Sequence, residues 1–88
     1  MKIEFIGPAT QAEDEGVLFL AHVDGRKVYC HFTFEALEDI DPDSLQDDPL
    51  AQFESHKLKL LSIAEGKLLK GLAIGDRLSV YTSDLRRD

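Results

Sequence analysis

Asp24-Gly25 separates two runs, residues 17–23 and 26–32, in which apolar residues recur at every second position. Asp-Gly is a favoured two-residue turn between antiparallel strands, because both of its residues can take positive φ angles. A turn of two residues also fixes which residues lie opposite each other. It places Val17 opposite Phe32, Phe19 opposite Cys30 and Ala21 opposite Val28. We therefore expect a β-hairpin over residues 17–32 with this apolar face buried.

The same register describes the opposite face of the hairpin, where Leu18 pairs with His31, Leu20 with Tyr29 and His22 with Lys27. The solvated face of a sheet is normally polar, yet the middle of this face is apolar. An exposed apolar patch with an aromatic member is typical of an interface. Alternatively, residues 8–16 or a short helix cover the patch. The candidate interface residues are Leu18, Leu20, Tyr29, His31 and, if the last strand pairs beside the hairpin, Tyr81.

One main helix is predicted over Pro49–Lys70. Asp48 followed by Pro49 is typical of a helix start, since Asp caps free amides and Pro suits the first helical position. Most leucines of the segment fall within one half of the helical wheel, which favours packing across a sheet. Gly71 suits the position just beyond the last helical turn.

Weaker patterns predict the elements around the hairpin. Lys2–Phe5 alternates as a short strand that Gly7-Pro8 ends, and a polar loop follows over Ala9–Gly16. Thr33 is a suitable cap for a short helix that ends at Asp41-Pro42.

A last strand is expected at Arg77–Thr82, followed by a frayed, charged tail over Asp84–Asp88. With 88 residues, the chain has enough apolar material for one small domain. We predict a single domain over residues 1–88 with an α+β fold, a small antiparallel sheet of three to four strands with one main helix packed on one face. The expected core is Phe5, Val17, Phe19, Ala21, Val28, Cys30, Phe32, Leu37, Phe53, Leu61, Ala64, Leu68, Leu78 and Val80.

The composition excludes several classes of protein. A single cysteine cannot build a disulfide scaffold. No run approaches about 18 apolar residues, so no membrane association is expected. No apolar segment follows Met1–Phe5, so we expect no secretory signal. The acidic pI of 4.8 disfavours binding of nucleic acid through phosphate contacts.

The net charge of −7 combines two unequal parts of the chain. Residues 1–56 contain 13 acidic and 3 basic residues, whereas residues 57–88 contain 4 acidic and 7 basic residues. This split allows a head-to-tail electrostatic contact between copies of the chain. It also leaves open weak nucleic-acid binding through the basic helix edge. The residues for such binding are Lys57, Lys59, Lys67, Lys70 and Arg77.

No catalytic or cofactor-binding residues and no metal site are predicted, and no cofactor is expected. Cys30 and His31 project from opposite faces of one strand, so they cannot form a nucleophile pair, and Cys30 is expected to be a buried structural thiol. His22 and His31 share a face but have too few neighbouring ligands for a metal. An enzyme or ligand-binding protein that uses His31 or His56 with nearby carboxylates is kept as an alternative.

A run of alternating aspartates from Asp39 has the opening spacing of a calcium-binding loop. The rest of the pattern fails, because Ser44 stands at the sixth position and Leu50 at the twelfth. Those positions require glycine and a bidentate glutamate. We interpret the segment as a solvated acidic loop.

The order of these features resembles a family of small bacterial proteins catalogued as domain of unknown function 1488. This chain differs in having no Trp in the loop after the first strand and His56 or Lys57 where the family tends to have Arg. The resemblance implies a small α+β fold and a cytoplasmic bacterial protein, and it supplies no reaction. The matching residues are Ile3-Glu4-Phe5, Val17, Phe19, Ala21, Asp24-Gly25, Val28, Cys30, Leu37, Phe53, Leu61, Ala64, Gly75, Leu78, Val80 and Asp84.

The sequence therefore predicts a non-enzymatic module that binds protein, either a second copy as a homodimer or another chain. The apolar outer face of the hairpin and the small size of the core both favour this interpretation, because a marginal core gains stability from a partner.

Overall fold

The structure is a computed structural model that describes residues 1–40 and 48–85. Its central hairpin confirms the prediction, since β2 (Val17–Val23) and β3 (Arg26–Phe32) pair antiparallel in the expected register. Asp24 and Gly25 form the turn with φ angles of 52° and 86°. A slip by one residue would turn every buried side chain to the opposite face, so the turn and the apolar pattern specify the same pairing.

β1 (Ile3–Gln11) pairs antiparallel with β2 and is longer than the predicted strand. Its pairing continues past Gly7 through a bulge, in which three residues of β1 lie opposite one residue of β2. The bulge lies between the pairs Phe5–Ala21 and Ala9–Phe19. Gly7 has a φ of 72°, and a Cβ there would lie 3.0 Å from the Phe19 ring. Glycine thus permits both the bulge and the close approach. The prediction of a loop from Ala9 was wrong, and the connection is limited to residues 12–16.

β4 (Arg77–Val80) pairs parallel with β3, giving a mixed sheet in the order β1-β2-β3-β4. The predicted α+β fold is confirmed, although the sheet is not wholly antiparallel. Parallel neighbours need a long crossover, and here the helices between β3 and β4 provide it. Ile74 and Arg77 form an antiparallel bridge around a turn at Gly75-Asp76.

The predicted main helix is divided into α2 (Pro49–Ser55) and α3 (Lys57–Leu69). His56 interrupts it with a φ of −124° and a ψ of 24°. The two parts contact different strands, α2 lying against β1 and β2 and α3 against β4. A division at His56 therefore lets each part pack on its own region of the sheet.

Three of the predicted helix ends are confirmed, at Thr33, Asp48 and Gly71. Thr33 Oγ1 accepts the Ala36 amide at 3.1 Å at the start of α1 (Phe34–Ile40), and Asp48 Oδ1 accepts the Leu50 amide at 3.0 Å. Beyond α3, Gly71 has a φ of 71°, and its amide and that of the next residue bond back to the last turn. This is the glycine-ended arrangement that satisfies terminal carbonyls. The predicted end of α1 at Asp41-Pro42 lies outside the described residues.

The core lies between one face of the sheet and the helices. Of the predicted core residues, only Phe5 and Leu61 are half-buried rather than buried. Leu60 is fully buried in place of Leu61. At 100° per residue, Leu60 lies about 20° from the buried Phe53 on the helical wheel and Leu61 about 80° from it, so Leu60 is nearer the centre of the buried face.

The start of the predicted tail is ordered as α4 (Thr82–Leu85), so the expectation of fraying was wrong at Asp84. Asp84 Oδ2 accepts the Tyr81 amide at 2.8 Å and lies 2.7 Å from Lys67 Nζ. The first contact caps α4, and the second fixes α4 to α3. Residues 86–88 of the predicted tail lie outside the described part.

Candidate functional site

The sheet face opposite the core carries a continuous apolar surface. Leu18 and Leu20 are half-buried, and Tyr29 is 41% exposed. β1 adds two residues to it, because Gly7 faces the core ring of Phe19 and its neighbours therefore face the other way. We call this surface the outer patch, and it consists of Ile6, Pro8, Leu18, Leu20 and Tyr29.

The outer patch contains a shallow depression of about 180 Å³. Pro8 and Thr10 of β1 form one side of it, Leu18 and Leu20 form the floor, and Tyr29 closes the other side. Among residues 1–40 and 48–85, the helices pack on the opposite face of the sheet. The patch therefore faces solvent in the described part of the chain, and it can receive an apolar group of another molecule.

At one end of this face, the 12–16 loop covers His31. The His31 ring is only 4% exposed, and its Nε2 lies 2.9 Å from Asp14 Oδ2. A carboxylate only accepts hydrogen bonds, so Nε2 is the donor when Asp14 is ionised. Asp14 also accepts the Gly16 amide at 3.1 Å. His31, a predicted interface residue, is thus shielded by the loop rather than presented on the patch.

The hydrogen bond from His31 has the largest effect on Asp14, followed by the bond from the Gly16 amide, and together they lower the pKa of Asp14 below its ordinary 3.8. Gly16 makes this arrangement sterically possible. A Cβ at Gly16 would overlap the carbonyl oxygen of Phe32 and lie 3.0 Å from His31 Nε2. The loop can therefore lie against β3 only because residue 16 has no side chain.

A second depression, of about 460 Å³, lies beside the covered histidine. Its lining includes Glu13, Asp14, Leu18 and Arg77. A molecule entering it would meet two carboxylates and one guanidinium, whereas the imidazole of His31 lies beneath Asp14. The arrangement suits charge pairing with another molecule, and it does not present His31 as a general base.

Tyr81 lies apart from the outer patch. β4 pairs beside the hairpin as the prediction required, but Tyr81 follows its last residue and is 53% exposed. Its ring centroid is 5.3 Å from Lys67 Nζ of α3. Lys67 Nζ also donates to the Ser79 carbonyl at 2.6 Å and contacts Asp84. Tyr81 therefore belongs to a contact that joins α3, β4 and α4.

The other predicted chemical candidates are separated from one another. Cys30 is fully buried in the core, as expected, and burial raises the pKa of its thiol from 9.0 to about 11. His22 lies on the outer face near the turn, whereas His56 lies between α2 and α3. Within residues 1–40 and 48–85, no group of three His, Cys, Asp or Glu is arranged to hold a metal ion. Most of the predicted acidic loop after Asp39 lies outside the described residues.

The predicted basic edge is divided between surfaces. Lys67 is buried in its contact with Asp84, while Lys59 and Lys70 line a depression of about 340 Å³ beside it. Lys57 Nζ lies 5.2 Å from the Phe19 ring centroid. Arg77 lines the depression that also contains Asp14, on the outer face of the sheet. These five residues do not form one continuous basic surface.

Comparison with known proteins relates this arrangement to a family. The family model for DUF1488, described as a protein of unknown function, matches residues 3–73. The chain belongs to the DUF1488 family. The match covers the sheet face that carries the outer patch, the 12–16 loop and helices α1 to α3. The predicted resemblance is thereby confirmed.

A solved DUF1488 protein has the same fold. The crystal structure of a protein of unknown function from this family, from Shewanella loihica PV-4, superposes with a TM-score of 0.78 at 18% sequence identity. The similarity covers 89% of this chain and 90% of that one. No curated protein matches the chain. At this identity the comparison establishes the fold.

Sequence reasoning missed three contributors to the outer face, namely Ile6, Pro8 and Asp14. The first two were missed because Gly7-Pro8 was interpreted as a strand end. Asp14 was missed because its contact with His31 spans 17 residues. Gly16 directly before a strand gave a usable signal, since a glycine there permits a loop to approach the sheet closely. In the described part of the chain, no helix is long and apolar enough to cross a membrane.

Proposed function

We propose that this DUF1488 protein is a protein-interaction or self-association module that binds through the outer patch. The observation that carries the proposal is the contiguous apolar surface of Leu18, Leu20 and Tyr29, extended by Ile6 and Pro8, on the sheet face that the described helices leave uncovered. We place this function in the bacterial cytoplasm.

The form of the surface supports recognition of protein. Protein interfaces typically have an apolar, fully desolvated centre that is rich in aromatic residues, and a polar or charged border surrounds it. Here the depression between Pro8 and Tyr29 is the central pocket, while Lys27 and Glu13 lie towards opposite ends of the face. Burial of Leu20 and Tyr29 by a partner would remove their remaining exposed apolar area from water, and this favours association.

The proposal is tested with Leu20→Asp and Tyr29→Asp. Each places a carboxylate in the outer patch, so we expect loss of association. Leu58→Asp is the matched control, because Leu58 is 86% exposed on α3, in the helical layer. Light scattering across a wide concentration range measures self-association, and affinity capture from the native host measures other partners. If the patch variants match the wild type and Leu58→Asp in both measurements, the proposal is wrong.

A further inference from the structure

We propose that the partner of the outer patch is a second copy of this chain, packed face to face with its strands running in the opposite direction. This inference rests on the proposed function and identifies its partner. It depends on how charge is distributed along the outer sheet face.

The turn end of the sheet collects the basic residues of the first part of the chain. Residues 1–56 contain three basic residues, and all of them lie there, namely Lys2, Arg26 and Lys27. Three acidic residues accompany them, namely Glu4, Asp24 and Asp76, whose carbonyl oxygen accepts the Tyr29 amide. Lys27 lies opposite His22 on the outer face. On the outer face itself, alternation along the strands places Lys2 and Lys27 together with Glu4, so this face has a small positive excess at the turn end.

The opposite end of the same face is acidic. The 12–16 loop contains the consecutive residues Glu13, Asp14 and Glu15, all exposed. Asp14 reaches over the outer face to His31, and Glu13 lines the depression beside it together with Arg77. Three carboxylates against one guanidinium leave this end negative. The outer patch lies between the two ends.

Twofold symmetry converts this charge distribution into a choice between two orientations. A symmetric face-to-face dimer has its axis in the plane of the interface. With the axis along the strands, Lys27 approaches Lys27 of the other copy, and Glu13 approaches Glu13. With the axis perpendicular to the strands, Lys27 of each copy approaches Glu13 of the other. Like charges across an interface are unfavourable, so the second orientation is favoured.

The same orientation also brings apolar groups together. The hairpin ladder runs from the Val17–Phe32 pair to the Val23–Arg26 pair, so the axis that superposes its two ends passes through the Leu20–Tyr29 pair. Leu20 and Tyr29 of one copy then pack against the same two residues of the other. Two sheets stacked in this way form a sandwich with a spacing of about 10 Å, filled by side chains of this size.

Charge-reversed variants test both the partner and the orientation. Lys27→Glu and Glu13→Lys each create two like-charge contacts in the proposed dimer. We expect each to raise the dimer dissociation constant about tenfold, because every reversed contact occurs twice. Mixing the two variants restores two opposite-charge contacts, so a dimer of one copy of each is expected. Sedimentation equilibrium measures the constants, and native mass spectrometry identifies the mixed dimer.

The controls make the same charge changes on the helical layer. Lys59→Glu and Glu65→Lys lie on exposed positions of α3, and we expect wild-type association for both. Thermal unfolding followed by circular dichroism verifies that all variants fold. If Lys27→Glu and Glu13→Lys associate as strongly as these controls, the proposed orientation is overturned.

Failure of this inference can be distinguished from failure of the proposed function. A wild-type chain that stays monomeric at all concentrations overturns the second-copy proposal. If Leu20→Asp then also loses a captured protein that Leu58→Asp retains, the outer patch still binds protein. A dimer that persists in Leu20→Asp uses another surface, and that result overturns the second-copy proposal on this face.

Discussion

His31 Nε2 and Asp14 Oδ2 lie 2.9 Å apart, and their contact joins the 12–16 loop to β3 across 17 residues of sequence. The Gly16 amide donates to the same carboxylate. Asp14 is thus the residue that holds the loop over one end of the outer face. The arrangement determines which residues border the outer patch, since without it His31 would be presented to solvent.

We expect Asp14→Asn to destabilise the protein at neutral pH. The folded-state pKa of Asp14 is lowered below its ordinary 3.8, first by the hydrogen bond from His31 and then by that from the Gly16 amide. Such a group contributes stability above its unfolded-state pKa, and this is lost as pH falls through the lower folded-state pKa. The free energy of unfolding of the variant should therefore approach that of the wild type in acid. Urea denaturation at neutral pH and well below pH 3.8 measures both differences.

Glu15→Gln is the control for this experiment, because it removes a neighbouring exposed carboxylate from the same loop. We expect it to have a smaller effect at neutral pH. Equal effects of the two substitutions would show that the contact with His31 contributes nothing specific. A nuclear magnetic resonance titration of the Asp14 carboxyl gives the direction of its pKa independently.

Gly16→Ala should displace the 12–16 loop. Its methyl group would overlap the Phe32 carbonyl oxygen and crowd His31 Nε2. The backbones of residue 16 and of Phe32 cannot separate without disturbing the sheet. We expect a loss of about 2 kcal/mol in the free energy of unfolding, comparable to overpacking a core position. Gly66→Ala is the matched control. A Cβ at Gly66 in α3 has no neighbour within 4 Å, so that change should stabilise by about 0.5–1 kcal/mol.

The same denaturant titrations compare both glycine variants. If Gly16→Ala is as stable as the wild type, the loop has room to relax and does not depend on glycine. In a variant that remains folded, the proton chemical shifts of the His31 ring report whether the loop has moved, because they depend on the surroundings of the ring.

The sequence predicts those parts of the fold in which two local signals agree. Asp24-Gly25 and the alternation around it specify one register, and the structure has that register. Thr33 and Asp48 likewise combine a capping side chain with a following apolar pattern. In each case the relevant contacts lie within a few residues, where turn and capping chemistry are decisive.

Features that depend on distant contacts were not predictable in this way. The interruption at His56 follows from how α2 and α3 pack on different strands, and Asp84 is ordered because it meets Lys67 of α3. The outer patch was predicted in its centre, at Leu18, Leu20 and Tyr29. Its border was not, because it depends on a bulge in β1 and on the fold of the 12–16 loop.

Lys67→Met should destabilise the protein by about 1–3 kcal/mol, since it leaves polar partners without their donor. Lys67 Nζ donates to the Ser79 carbonyl at 2.6 Å and to Asp84 Oδ2 at 2.7 Å, and its side chain is only 10% exposed. Lys70→Met is the control, because Lys70 is exposed one turn further along the chain. Urea denaturation measures both variants.

A double-mutant cycle with Asp84→Asn tests whether the Lys67–Asp84 pair acts as a unit. We expect the combined variant to lose less stability than the two single variants together, because either substitution already breaks the shared contact. Additive losses would contradict a direct coupling between the two side chains.

Cys30 should react with thiol reagents only when the protein unfolds. Its side chain is fully buried between the sheet and the helices, and burial raises the pKa of the thiol from 9.0 to about 11. The reactive thiolate is therefore both inaccessible and scarce at neutral pH. We expect the rate of labelling of the native protein to be limited by the unfolding that exposes Cys30, and labelling to become fast in denaturant. A spectroscopic thiol assay measures both rates.

The reference for this assay is Ser83→Cys in a Cys30→Ala background, because Ser83 is exposed on α4. We expect its thiol to react rapidly in the native state. Because the pKa of Cys30 is raised in the folded state, its thiol favours the native state below pH 9.0. This contribution to the free energy of unfolding should decline as pH rises towards 11. Labelling of native Cys30 as fast as the Ser83→Cys reference would mean that β3 separates readily from the helices, and a core built around that strand would then not be closed.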